Sequence, residues 1–321
     1  MRSLIRRVGA GQQLGIVIII VALVVVSEII NPTTLAPDNL IEVFRSTAIY
    51  FIAACAATLV LVGGGLDLSI GSTFAVGAIA VGLLLKIGTP WPLAIVGAVI
   101  VAGLFGAVNA LFILRVKVPP FITTLGMTFA ATGLVTVITG GNPVFGFPAA
   151  FNDIGQLNLF GIPFLVYYAI VIGIIFHLLL EKSRFGYDTR AIGGNSSAAL
   201  SNGVRVARVT ATLYIVSAAI AGLCGVLLTA RVSTADPAAG GTGFTFQVLA
   251  AVIIGGTSLF GGVGTIAGTA LGSLLFSVIN NVLALTNTDP QWQNIATGVI
   301  LVLAVAFDRF RRSRQFAAGR S

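Results

Sequence analysis

The chain has 321 residues, of which 57% are hydrophobic and only 9% charged, with a mean hydropathy of +1.04. Soluble globular domains carry charge on about 25% of their residues, so this composition excludes a soluble enzyme or binding module and implies a polytopic membrane protein. The formal charge of +8 does not indicate a nucleic-acid partner, because the basic residues sit at the ends of apolar runs and form no patch with interleaved aromatics.

In chain order, the first apolar run, Leu14–Ile30, follows Arg2, Arg6 and Arg7. It is too long for a signal-peptide core and no small-residue cleavage site follows, so it is expected to be the first span. The remaining runs are Ser46–Val62, Gly71–Leu85, Trp91–Leu114, Phe121–Thr139, Pro163–Leu180, Val209–Ala230, Phe246–Ile254, Val263–Leu285 and Ile295–Phe307. A helix needs about 20 residues to cross a bilayer. The third, eighth and tenth runs fall short and are expected to be tilted, half-spanning or extended by flanking polar residues. The expected fold is all-α, one transmembrane domain over residues 1–321 with about ten helices, some interrupted by glycine or spanning only half the membrane.

Ten crossings from a cytoplasmic N-terminus place 15 of the 18 basic residues inside, leaving Arg45, Lys86 and Arg231 outside. That split obeys the positive-inside rule and predicts two cytoplasmic termini, with 309–321 as a basic cytoplasmic tail. Cys55 and Cys224 fall inside apolar runs and read as small hydrophobes, not as a disulfide or metal site.

Two glycine-rich stretches break the apolar pattern, one from Gly63 to Gly71 and one from Gly255 to Gly262. Each follows an apolar run and precedes a helix with spaced small residues: Gly71, Gly77 and Gly82, then Gly264, Gly268 and Gly272. They read as a weak internal repeat of the kind that marks transport pathways, or as tight turns and close-packing helix faces. Ten crossings put both on the inside; an inverted repeat puts them on opposite sides.

Asp67 is the one carboxylate at membrane depth away from a basic cluster. A charge there is costly, so it should bond to backbone N–H groups or to Ser69, as a cap on the following helix or in the wall of a wet cavity. Asn109, Asn280 and Asn281, with Ser217 and several threonines including Thr123, are uncharged polar groups inside apolar runs. They either line a path for a hydroxylated solute or bond between helices.

The stretch Ser183–Arg208 is polar between two runs long enough to span, and carries Arg184, Arg190, Arg205 and Arg208 against Asp188. It must face water. A turn at Arg184-Phe185-Gly186 and a break at Gly193-Gly194-Asn195 are expected, followed by a short helix Ser196–Leu200. Asn195 would cap that helix, which ends towards Asn202-Gly203. Gly186 and Gly193 are expected wherever the backbone needs positive φ. Such a segment is either a helix that a soluble partner grips or an ordinary basic loop.

The sequence contains no P-loop, no H-E-x-x-H, no Cys-x-x-Cys and no Gly-x-Ser-x-Gly, so it offers no ATP site and no enzyme motif of its own. Scarce intramembrane charge also argues against an ion-coupled carrier. Transport powered from another chain is the economical reading.

Four motifs occur in order: Gly64-Gly65-Leu66-Asp67-Leu68-Ser69-Ile70-Gly71, Pro119-Pro120-Phe121-Ile122-Thr123-Thr124-Leu125-Gly126, Arg184-Phe185-Gly186 with Arg190-Ala191-Ile192-Gly193-Gly194-Asn195, and Gly255-Gly256-Thr257-Ser258-Leu259-Phe260-Gly261-Gly262. Together they resemble the ribose/xylose-type sugar permeases, membrane subunits of bacterial ATP-binding-cassette importers, over about Ser46 to Asp308. The resemblance implies a multi-pass protein of the inner membrane that is not itself an enzyme. It implies a periplasmic sugar-binding protein, a second permease copy making a homodimer, and a cytoplasmic ATPase that holds ATP and Mg, with no cofactor on this chain. It also implies that Ser183–Arg208 holds the coupling helix, with Arg184, Phe185, Gly186, Arg190, Gly193, Gly194, Asn195 and Gly203 at the ATPase. One departure stands out. Where the family commonly shows an acidic pair, this chain reads Gly243-Phe244-Thr245-Phe246-Gln247, which points to a changed substrate or a changed contact with the binding protein. The alternatives are a stand-alone channel, or a relative that carries branched-chain amino acids, nucleosides or a furanosyl signal.

Overall fold

The computed structural model describes residues 2–286, 289 and 291–318. In chain order the helices are α1 (Arg2–Ile30), α2 (Pro37–Val62), α3 (Ile70–Lys86), α4 (Trp91–Leu111), α5 (Pro120–Thr139), α6 (Ala149–Gln156), α7 (Phe164–Lys182), α8 (Arg184–Gly194), α9 (Ser196–Ser201), α10 (Val206–Val232), α11 (Gly241–Ile254), α12 (Ile266–Leu285) and α13 (Gln291–Ala318). Two short antiparallel ladders complete the described chain: β1 (Val144–Phe145) pairs with β4 (Thr234–Ala235), and β2 (Asn158–Leu159) with β3 (Ile162–Pro163).

Among the described residues seven helices are long and apolar enough to cross a membrane, so the chain is an all-α polytopic membrane protein. α3 and α11, with 17 and 14 residues, rise only about 25 and 21 Å, less than the ~30 Å hydrocarbon core. The run expected as a short tenth segment lies within the 28-residue α13. That helix carries the expected basic tail as far as residue 318, and 319–321 lie outside the described residues.

Helix ends follow local chemistry. Pro37, Pro92 and Pro120 sit in the first turns of α2, α4 and α5, where a missing N–H costs nothing. After α4 the chain widens into a π-turn, Phe112–Val116, and left-handed Lys117 then leads to Pro119 and Pro120. Left-handed Gly140 closes α5 in the manner expected of a C-terminal glycine.

Burial is inverted relative to a soluble protein. α4 buries Ala94, Ala98, Ala102, Gly103 and Gly106 and leaves Leu93, Ile100, Leu104 and Leu111 outward. Small residues face protein and large ones face lipid, because close backbone approach rather than hydrophobicity drives association there. α3 is the centre of this packing, with residues 71–79 buried on all sides. A Cβ on Gly77 would strike Gly222 of α10, one on Gly225 would strike the Phe74 carbonyl, and one on Gly106 the Tyr214 carbonyl. The backbone of α10 therefore meets those of α3 and α4 at close range.

The two ends of the bundle differ. At one end, Asn39 of α2 and Asn281 of α12 exchange side-chain amide bonds of 3.0 and 2.7 Å, and Asn31 after α1 bonds to the Leu285 carbonyl. Arg231 at the end of α10 pairs with Glu42, as does Arg45, which also reaches Gln156 of α6. At the other end lie α8, α9 and both glycine stretches.

Candidate functional site

The two glycine stretches fold alike at their start. α2 ends with Gly64 at φ 77°, whose N–H reaches the Leu61 carbonyl, while Gly65 N–H reaches Val60, both at 2.9 Å. α11 ends with Gly256 at φ 92°, its N–H on Ile253 at 2.9 Å and Thr257 N–H on Val252 at 3.2 Å. Both are Schellman caps, which need a residue that accepts left-handed φ at low cost. They lie at the same end of the molecule: Gly262 N–H donates to the Val62 carbonyl at 2.8 Å. Of the two placements left open by the sequence, the shared one is observed.

Beyond the first cap the chain turns inward. Asp67, 1% exposed, accepts from the Ser69 N–H (2.9 Å) and hydroxyl (2.6 Å) on one oxygen and from Ser217 of α10 (2.7 Å) on the other. Its i→i+2 bond is an Asx-turn standing immediately before α3. Asn109 of α4 donates to the Ser69 hydroxyl at 2.9 Å, while its own carbonyl oxygen is buried without a partner among the described residues. Thr124 and Thr128 of α5 close over the backbone carbonyls of Leu66 and Leu68. Thr123 has a buried hydroxyl with no partner among the described residues. Thus Asp67, Ser69 and Asn109 come together with Ser217 as one clasp between α3, α4 and α10. Asn280 and Asn281 are elsewhere: Asn281 in the amide pair with Asn39, and Asn280 beside the Tyr50 hydroxyl.

Beyond the second cap the loop folds back on itself, Ser258 N–H bonding to Val263 O at 2.9 Å, with Gly261 and Gly262 at positive φ. α8 sits against it. The expected turn at Arg184-Phe185-Gly186 is instead the first turn of a helix, N-capped by the Ser183 hydroxyl on the Gly186 N–H at 3.1 Å. Gly186 and Gly193 both have helical φ, not positive φ. They are required by proximity: a Cβ on Gly186 would strike the Leu179 and Leu180 carbonyls, and one on Gly193 would strike the Val62 carbonyl and Gly262 N–H. Gly193 is thereby wedged between both glycine stretches. Asn195 caps α9 through the Ala198 N–H at 3.0 Å, and Gly203 takes φ 80° after it. Phe185 packs inward against the core, Gly194 has no neighbour within 4 Å of a would-be Cβ, and Arg184 is exposed. Arg190 is turned inward, bonding to Glu181 of α7 and to the Gly264 carbonyl at 3.1 Å. Sequence reasoning misses Tyr187 and Leu200, 59% and 64% exposed on α8 and α9. Their signal is a large apolar side chain in an otherwise polar segment.

α11 joins this end to a cavity at the other. Its last residue precedes the second glycine turn, while its first two turns carry Phe244, Thr245 and Gln247. Thr245, where the resembling family has an acid, is 1% exposed and accepts from the Gly71 N–H at 2.9 Å. Gln247 accepts from the Tyr50 hydroxyl at 2.7 Å. Together with residues of α2, α3, α10 and α13, α11 encloses about 360 Å³.

A family model described as "Branched-chain amino acid transport system / permease component" matches residues 39–305. The chain is 36% identical over 303 residues to the ribose import permease protein of Bacillus subtilis, covering 94% of each. It is 33% identical to the D-allose transport system permease protein of Escherichia coli K12 (86% of this chain, 84% of that one) and 32% identical to the L-arabinose transporter permease protein of Azospirillum brasilense (94% and 89%). No solved structure gives a significant match. The family model covers most of the chain, and the chain belongs to this family of transport-system permease components.

Proposed function

We propose that this chain is the membrane subunit of an ATP-driven monosaccharide importer, crossing the bacterial inner membrane about ten times with both termini in the cytoplasm. The named substrates of the relatives, ribose, allose and arabinose, support the sugar. The excess of basic residues at the α8 end, Lys182, Arg184, Arg190, Arg205 and Arg208 against Arg45 and Arg231 at the other, supports the orientation. The partners in this reading are a cytoplasmic ATPase that holds ATP and Mg, a sugar-binding protein outside, and a second copy of the permease, the whole chain acting as one transmembrane unit.

The observation that carries the proposal is the seating of Gly193. At Gly193 α8 touches both glycine stretches, and Arg190 straps it to Gly264. ATPase domains moving against Arg184, Tyr187, Asn195 and Leu200 displace α8, and with so little free space at Gly193 the second stretch moves with it. That stretch continues into α11, whose far end forms the cavity wall. A rigid helix thus joins the ATPase side to the substrate side, and each state of the ATPase selects one arrangement of the path. The clasp at Asp67 holds α3 fixed meanwhile.

Reconstitution tests this. Proteoliposomes containing the permease, its ATPase and the loaded binding protein are expected to take up a pentose or hexose only with ATP. Equal flux through the permease alone would make it a facilitator and overturn the proposal.

A further inference from the structure

The cavity between α2, α3, α10, α11 and α13 has a chemistry that no similarity assigns. Its volume of about 360 Å³ lies at the small end of the range for ligand sites, roughly 300–1,000 Å³. One wall is aromatic. Phe244 stacks on Tyr50 with ring centroids 5.4 Å apart and meets Phe74 at 4.6 Å, so the three rings are held as a unit. Beside Ser46 and Arg231 the polar lining has two amides: Gln247 spends its oxygen on the Tyr50 hydroxyl, leaving its two N–H donors without a partner among the described residues, and the Gln293 amide has none there either. A carboxamide supplies donors and an acceptor and so suits hydroxyl groups, which do both.

The charges argue further. Among the described residues no carboxylate lines the cavity, so an ammonium group entering it would meet no counter-charge there. Arg231, the lining cation among the described residues, already holds Glu42 and Ser46 with its terminal nitrogens. A carboxylate or phosphate would have to displace Glu42. Zwitterionic and anionic solutes are both disfavoured, whereas a neutral ring with one apolar face and an edge of hydroxyls matches an aromatic wall opposite amides.

We infer that this cavity is a binding station for a neutral monosaccharide, the Tyr50–Phe244 pair stacking on the sugar face and Gln247 with Gln293 reading its hydroxyls. The inference rests on the importer reading and goes beyond it, by placing the sugar in this chain and by excluding amino acids despite the family's description.

The test uses the complete importer in proteoliposomes with D-ribose, D-allose, L-arabinose and L-leucine as probes. Wild type is expected to import at least one sugar and not leucine; leucine import that needs ATP would overturn the cavity assignment and leave the importer intact. Gln247→Leu and Phe244→Ala are expected to raise the half-saturation concentration or cut the rate for that sugar at least tenfold, with membrane accumulation unchanged. Should Phe244→Ala accumulate poorly, Gln293→Leu on the exposed start of α13 and Gln247→Leu carry the decision. Uptake within twofold of wild type for these two amide variants overturns the inference. No ATP-dependent uptake of any probe by wild type, in a system whose binding protein is shown to hold one, overturns the importer reading itself.

Discussion

The two glycine turns begin with the same cap and then do opposite things. After Gly64 the chain dives inward and is fixed by a buried carboxylate with three bonds; after Gly256 it folds into a loop whose tip, Phe260, is half exposed and whose flank receives α8. The cap merely ends a helix cleanly. The residues after the cap decide what the turn becomes: a buried carboxyl anchors the first, while backbone contact with α8 makes the second the transmitter in the proposed mechanism.

The largest effect should come from breaking the anchor. Asp67→Leu leaves the Ser69 N–H and hydroxyl and the Ser217 hydroxyl without their acceptor and should cost about 3 kcal/mol, seen as a lower unfolding temperature in detergent and weaker accumulation in the membrane. A variant as stable as wild type would show that the first turn is held by packing alone. Next comes the transmitter. Gly193→Ala inserts a methyl between Val62 and Gly262 and should cost about 2 kcal/mol, together with most of the stimulation of the partner ATPase by loaded binding protein. Gly194→Ala, one residue on with open space around it, should stay within about 0.5 kcal/mol of wild type. If the two behave alike in the ATPase assay, the wedge is not how motion enters.

A smaller effect tests the shared part. Gly64→Ala and Gly256→Ala both force a side chain into left-handed φ and should each cost about 1 kcal/mol. Clearly unequal unfolding temperatures would mean that the caps are not equivalent. The smallest is Arg190→Gln. Its partner Glu181 is about one-third exposed, so the ion pair itself should contribute no more than about 0.5 kcal/mol, and thermal unfolding should barely move. ATPase stimulation should fall further than stability does.

How legible these regions are in the sequence depends on how local their causes are. The membrane helices can be read because each is a contiguous run, and Asp67 because a lone carboxylate among apolar residues has few options. α8 misleads at Gly186, since glycine signals either unusual φ or close approach, and the second depends on Leu179 and Leu180 carbonyls that the sequence does not place. The apolar run starts α11 at Phe246 instead of Gly241, because Gly241 and Gly243 interrupt the apolar pattern without interrupting the helix. The cavity is not legible at all. Tyr50, Phe244 and Gln293 come from three distant helices, and only Gln247 stands out, as a missing acid.

The central position of α3 sets a schedule for synthesis. Its flanking Asp67 is completed by Ser217, 150 residues further along the chain, and the glycines of α10 that receive α3 come just after it. At about 5–20 residues per second, roughly 8–30 s separate the emergence of that carboxylate from the arrival of the hydroxyl that completes its set of partners. α3 is itself apolar and can wait in lipid, but the Asp67 carboxyl just before it is costly there while one of its partners is missing. The cost of that interval falls on Asp67 and not on α3, and a pause in translation before α10 would prolong it.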